Sequence, residues 1–150
     1  MMTDKGGSMF TPSFFVPDAS VIIKWAFRSP DEQGADKALD LLSLWLAGNC
    51  SFVLPGLWVY ECGNVLGLKA PDNAKEIMDI FLDYRFDECP MNSNLSTATL
   101  SIMKECKVTF YDAVYHAVAL DKKATLITAD VAYYRKASQL GNIMLLENFA

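Results

Sequence analysis

A chain of 150 residues that is 52% hydrophobic, with a mean hydropathy of +0.17, fits one domain with a sizeable core and is too apolar for a disordered polymer. No run approaches the roughly 18 apolar residues that span a bilayer. A net charge of −5 excludes a broad basic face for sequence-blind nucleic-acid binding, but not a nuclease that holds phosphate through cations.

Met1 to Ser13 carries Asp4, Lys5 and a Gly6-Gly7 pair but no apolar stretch of the signal-peptide kind. Residues 1–13 are therefore expected to be a flexible leader, residues 14–150 one domain, and the setting cytoplasmic. Phe14 to Pro17 reads as a strand ending in Asp18, and Ser20 to Phe27 as a short helix broken at Ser29-Pro30-Asp31-Glu32. Glu32 to Ala47 places Ala38, Leu41, Leu42, Trp45 and Leu46 at helical spacing, and Gly48-Asn49 ends it. Phe52 to Leu54 is a strand stopped by Pro55-Gly56. Leu57 to Leu68 and Ala74 to Tyr84 are helices parted by Ala70-Pro71-Asp72, the second with Ile77, Ile80 and Phe81 on one face. Phe86 to Pro90 is a weak strand. Leu95 to Cys106 is a helix capped by Ser93 or Asn94, and Thr109 opens another to about Asp121. Ala124 to Thr128 is a strand, Asp130 to Leu140 a helix, and Ile143 to Leu146 a last strand. Short apolar strands alternating with helices predict right-handed βαβ units and a parallel sheet covered on both faces.

Cys50, Cys62, Cys89 and Cys106 form no C-x-x-C pair, and His116 is the sole histidine, so a structural zinc site is not expected. The cysteines read as scattered buried thiols of a reducing compartment.

The chemistry is carried by four acids in apolar surroundings: Asp18, Glu61, Asp112 and Asp130. Burying an unpaired carboxylate is costly, and four that converge demand cations. Oxygen ligands without thiol or imidazole partners select a hard ion such as Mg2+ or Mn2+. Each acid has a plain structural alternative. Asp18 and Asp130 are good helix N-caps, Thr109-x-x-Asp112 matches a capping box, and Glu61 with Asn64 fits a surface stripe. Ser20 and Thr128 fit either a supporting role at a metal or a turn. Phe110 to Leu120 is apolar except for Asp112 and His116, four residues apart, so this pair is expected to face a polar cavity. His116 reads as a packing or supporting residue. No G-x-S-x-G elbow, Walker A loop or D-x-D motif is present. The pairs Lys104 and Lys107, Lys122 and Lys123, and Arg135 and Lys136 are candidates to supplement a metal in holding phosphate, though each reads first as a solvated face.

In order along the chain, Pro17-Asp18-Ala19-Ser20-Val21 with Lys24-Trp25, Pro55 with Glu61-x-x-Asn64-x-Leu66, Tyr111-Asp112-Ala113-x-Tyr115-x-Ala117 and Ile127-Thr128-Ala129-Asp130 resemble the motifs of PIN-domain ribonucleases, above all VapC-type toxins of bacterial toxin–antitoxin pairs. The resemblance covers about residues 14 to 147. It implies a three-layer α/β/α fold with a central parallel sheet of about five strands. It also implies Mg2+- or Mn2+-dependent RNA cleavage, with Asp18, Glu61, Asp112 and Asp130 as metal-binding catalytic residues and Ser20, Asn64 and Thr128 lining the site. A small antitoxin partner and a homodimer follow from the same resemblance, with Tyr133 and Tyr134 as candidate exposed aromatics at an interface. A weakly active component that acts with an antitoxin on operator DNA, and a housekeeping RNA-maturation nuclease, stay open as alternatives.

Overall fold

The computed structural model describes residues 13–27 and 33–150. The expected leader, apart from Ser13, and the expected break at Ser29 to Glu32 lie outside the described residues. The strands are β1 (Ser13–Pro17), β2 (Cys50–Pro55), β3 (Asp87–Cys89), β4 (Thr125–Thr128) and β5 (Ile143–Leu145). They form one sheet in the order β3-β2-β1-β4-β5, every pairing parallel. Register sets Phe15 beside Phe52 on one flank and beside Thr125 on the other.

The helices are α1 (Ala19–Ile22), α2 (Ala35–Leu46), α3 (Leu57–Lys69), α4 (Ala74–Asp83), α5 (Ser93–Cys106), α6 (Phe110–Lys122) and α7 (Val131–Ala137). With the sheet they build the expected three-layer α/β/α architecture. Helix α6 packs on β1, β2 and β4 with α5 against it, while α1 packs on β1 and β4 and α2 on β2. The apolar run of α6 explains its place, since Ala113 to Ala119 are all buried. The chain leaves β1 towards β2 and β3 on one side, and occupies β4 and β5 on the other. The strand order therefore reverses beside β1, and the carboxyl ends of β1 and β4 form the crevice where open parallel sheets bind ligands.

An aromatic cluster fixes one end of the core. Phe86 lies 5.0 Å from the Trp45 ring, 5.2 Å from Trp58 and 5.9 Å from Trp25, and Trp45 stacks on Phe52 at 5.5 Å. The indole groups are satisfied as burial requires: Trp25 Nε1 donates to the Ala38 carbonyl at 2.8 Å and Trp58 Nε1 to Glu88 Oε2 at 2.7 Å.

Several boundaries differ from expectation, each for a local reason. The helix expected over Ser20 to Phe27 is α1 followed by a 3₁₀ turn, Ile23–Trp25. The β-branched run Val21-Ile22-Ile23 disfavours a longer α-helix. Helix α5 starts at Ser93, because Asn92 rather than Ser93 or Asn94 caps it, its Oδ1 accepting from Leu95 N at 2.8 Å. In α4, Phe81 is buried but Ile80 is exposed, so the core face is narrower than the spacing implied. Strand β2 is longer than Phe52 to Leu54. All four cysteines are free and buried, as the scattered-thiol reading expects. Among the described residues, no helix is long and apolar enough to cross a membrane.

Candidate active site

Asp18 follows β1 directly, and its backbone N–H donates to the Ile127 carbonyl of β4 at 3.1 Å. Its carboxylate caps α1 through Val21 N at 3.3 Å and accepts a short hydrogen bond from the Ser20 hydroxyl. The Thr128 hydroxyl also donates to it. Ser20 Oγ in turn accepts from Ala129 N at 3.0 Å, and Thr128 Oγ1 from Asp130 N at 3.1 Å. Two hydroxyls thus tie the end of β1 to the end of β4. Asp130 caps α7 through Tyr133 N at 3.0 Å. Capping and a place at the sheet's crevice coexist at both positions.

Glu61 and Asp112 reach the same region from helices. Glu61 lies on the second turn of α3 and accepts from the Tyr115 hydroxyl of α6 at 2.5 Å. Asp112 lies on the first turn of α6, its backbone N–H held by Thr109 Oγ1 at 3.1 Å. Two clefts open between these elements. One, of about 460 Å³, is lined by Ser20, Glu61, Asn64 and Lys69 among others. The other, of about 380 Å³, is lined by Lys107, Thr109, Asp112, Asp130 and Lys136 among others. Asp18 lines neither cleft but is linked to both, since its partner Ser20 lines the first and the charge of Asp112, in the second, acts on it.

The electrostatics are those of crowded acids. Burial pushes the Asp18 carboxyl up to about 6; bonds from Ser20, Thr128 and Val21 N pull against that, and Asp112 adds to it. Glu61 is raised by burial, opposed by Tyr115 and reinforced by Asp112. Asp112 is raised by desolvation and then by Asp130, while the Thr109 hydroxyl and the Lys136 charge pull it down. Beneath them, burial and then Glu61 and Asp18 push the Cys62 thiol up to about 12, so it stays protonated. Tyr115 is pushed up by burial and by its bond to Glu61, and remains a neutral donor. The donor set is therefore oxygen only. Among the described residues, no three Asp, Glu, His or Cys side chains close around one point.

His116 is the packing residue expected, but the polar cavity expected to hold it together with Asp112 is not there among the described residues. The histidine is fully buried and does not share a cavity with Asp112, which is exposed. The Tyr133 hydroxyl donates to its Nδ1 at 2.8 Å, and its Nε2–H donates to the Gly141 carbonyl at 2.7 Å. Burial pushes its pKa down, so a neutral imidazole ties α6 to α7 and to the loop before β5. Tyr133 is accordingly buried, at 4% exposure, and Tyr134 is half-buried; Tyr133 is thus no exposed interface aromatic.

The family model of the PIN domain matches residues 15–139, most of the chain and all four acids. The chain belongs to the PIN-domain family. Solved structures share this PIN fold at low identity. VapBC2 from Rickettsia felis, bound to a DNA fragment from its promoter, has 17% identity, covers 88% of this chain and 96% of its own, and gives a TM-score of 0.65. FitAcB from Neisseria gonorrhoeae has 16% identity with coverages of 89% and 99% and a TM-score of 0.67. The sarcin–ricin-loop-cleaving toxin VapC20 from Mycobacterium tuberculosis has 17% identity with coverages of 87% and 96% and a TM-score of 0.62. A search of curated protein sequences gives no match. In this PIN domain, sequence reasoning had not given Tyr115 or Lys69 a place at the site. Tyr115 stood inside the quoted Asp112 motif, and Lys69 lies eight residues beyond Glu61, on the same side of α3.

Proposed function

We propose that this protein is a metal-dependent ribonuclease that hydrolyses RNA phosphodiester bonds as the toxin of a toxin–antitoxin pair. The observation that carries this reading is the crowding of acids beside the carboxyl ends of β1 and β4: the charge of Asp112 acts on Asp18 and on Glu61, and the charge of Asp130 acts on Asp112. Carboxylates crowded in this way form a site whose ionised state calls for a counter-cation. The donor chemistry fits Mg2+ or Mn2+: carboxylates and hydroxyls, with the nearby thiol protonated. Asp18, Asp112 and Asp130 would hold the ion, with Glu61 directly or through water. The spread of the carboxylates suits an ion that keeps several waters and takes phosphate oxygens from the substrate. When bound, such an ion supplies a hydroxide-like water at neutral pH and offsets charge on the phosphate.

The chain's own groups do the positioning. Ser20 and Thr128 aim the Asp18 carboxylate, and Tyr115 aims Glu61. Asp130 is fixed by the first turn of α7. No protein nucleophile is required. The net charge of −5 suits a small basic antitoxin whose Arg or Lys would enter the acidic crevice, and the antitoxin complexes among the structural neighbours support such a partner.

Purified protein is expected to cut RNA with Mg2+ or Mn2+ and to stop in EDTA. The same cations are expected to raise its melting temperature, since an ion at about 100 times its Kd stabilises the folded state by about 2.7 kcal/mol. Cutting that persists in EDTA, with a melting temperature indifferent to the cation, contradicts the reading.

A further inference from the structure

We propose that Lys107 and Lys136 on one side of the acidic centre, and Lys69 on the other, hold the backbone phosphates of single-stranded RNA flanking the bond to be cut. The proposal rests on the ribonuclease reading and adds the path of the substrate. The chain is acidic overall, so RNA needs local cations to approach four carboxylates. The structure places lysines in both clefts that hold the acids. The cleft lined by Asp112 and Asp130 is also lined by Lys107 and Lys136. The cleft lined by Glu61 and Asn64 is also lined by Lys69. Asp18 is linked to both, through Ser20 in the one and the charge of Asp112 in the other, so a strand held in both clefts would pass lysines and carboxylates together.

The backbone fixes these lysines. Lys107 ends α5 in the left-handed region at φ 57°, two residues before the Thr109 cap that places Asp112. Lys136 lies one helical turn beyond Ala132, which lines the same cleft, and its charge reaches Asp112. Lys69 is the last residue of α3, two turns beyond Glu61. Among the described residues, the ion pairs are Lys75–Asp79 and Lys122–Asp121, and neither takes up Lys69, Lys107 or Lys136. These lysines are positioning residues for a polyanion. Lysine, a flexible point charge, suits phosphates whose spacing varies along a single strand.

The test uses the full chain in Mg2+ with a labelled single-stranded RNA. Lys69→Gln, Lys107→Gln and Lys136→Gln keep most of each side chain and remove the charge. Each is expected to raise KM severalfold with kcat within about twofold. Each should also flatten the dependence of log affinity on log salt by about 0.7, the effect of one lost phosphate contact on a single strand. Lys→Arg at each position should restore KM. Lys122→Gln, about 15 Å along α6 from Asp112, should match the wild type. Unchanged KM and salt slope in all three Gln variants, with the wild type still cutting, overturns the proposal and leaves the ribonuclease reading standing. A fall in kcat with KM unchanged also overturns it, since the lysines would then act on the acids and not on the RNA. A wild type that binds RNA without cutting defeats the ribonuclease reading, and the salt slopes still decide the track. A wild type that neither cuts nor binds defeats both.

Discussion

Asp18→Asn is expected to lose RNA cleavage by at least about 10²-fold and at the same time to stabilise the metal-free protein. The two effects share one cause. Asp18 is held to about 6 in the folded chain, chiefly by burial, against an ordinary value of 3.8. A raised carboxylate binds more protons folded than unfolded, so stability falls as pH rises between about 4 and 6 and stays reduced above that window. A shift of about two units corresponds to at most about 3 kcal/mol at pH 7.5. Asparagine keeps an oxygen for Val21 N and for the Ser20 and Thr128 hydroxyls, and carries no charge. The expected gain is about 1–3 kcal/mol in EDTA at pH 7.5, shrinking towards pH 4, or roughly 2–4 °C per kcal/mol. Thermal melts at both pH values measure it. An Asn variant less stable than the wild type at pH 7.5 would show that Asp18 is chiefly a structural cap.

Phe86→Ala is expected to cost about 3–5 kcal/mol, a large share of the roughly 5–15 kcal/mol of a whole domain. Phe86 is 7% exposed, and its ring lies within 6 Å of Trp25, Trp45, Phe52, Trp58 and Tyr84. Removing it opens a cavity among rigid rings with little freedom to collapse. It follows Arg85 at φ 55° and so also anchors the turn between α4 and β3. The consequence reaches the site, because Trp58 packs on Phe86 and sits one turn before Glu61 on α3. Urea titration measures the loss, and a cost under about 1 kcal/mol would mean that the cluster is not a single unit.

The sequence made the acids legible because each interrupts an apolar segment at an element boundary or on one stripe. Alternating apolar runs likewise announced the parallel sheet, and the all-round apolar stretch of α6 announced its burial. What escaped was information held between elements. His116 and Asp112 share a stripe in sequence. Yet the neighbouring α7 brings Tyr133 to the imidazole, and the loop before β5 brings Gly141, so the ring is satisfied inside the core. Tyr115 looked like one more apolar-helix residue until α3 placed Glu61 against its hydroxyl. Lys107 and Lys136 read first as solvated charge and Lys69 drew no reading, because only the tertiary fold opens clefts beside them. Cap positions escaped by a residue or two, as at Asn92, since several adjacent polar residues could all serve.

The most direct measurement is cleavage of total RNA and of a labelled hairpin RNA by wild type and Asp112→Ala, each in Mg2+, Mn2+ and EDTA, on protein verified as folded and free of partner. Asp112 is exposed on the first turn of α6, and its backbone N–H keeps the Thr109 cap when the side chain is shortened, so alanine there should leave the fold intact. Discrete cuts that require both the cation and Asp112 are the predicted result. Equal metal-dependent cutting by Asp112→Ala, or no cutting by the wild type, would contradict the assignment of this acidic crevice as a ribonuclease site.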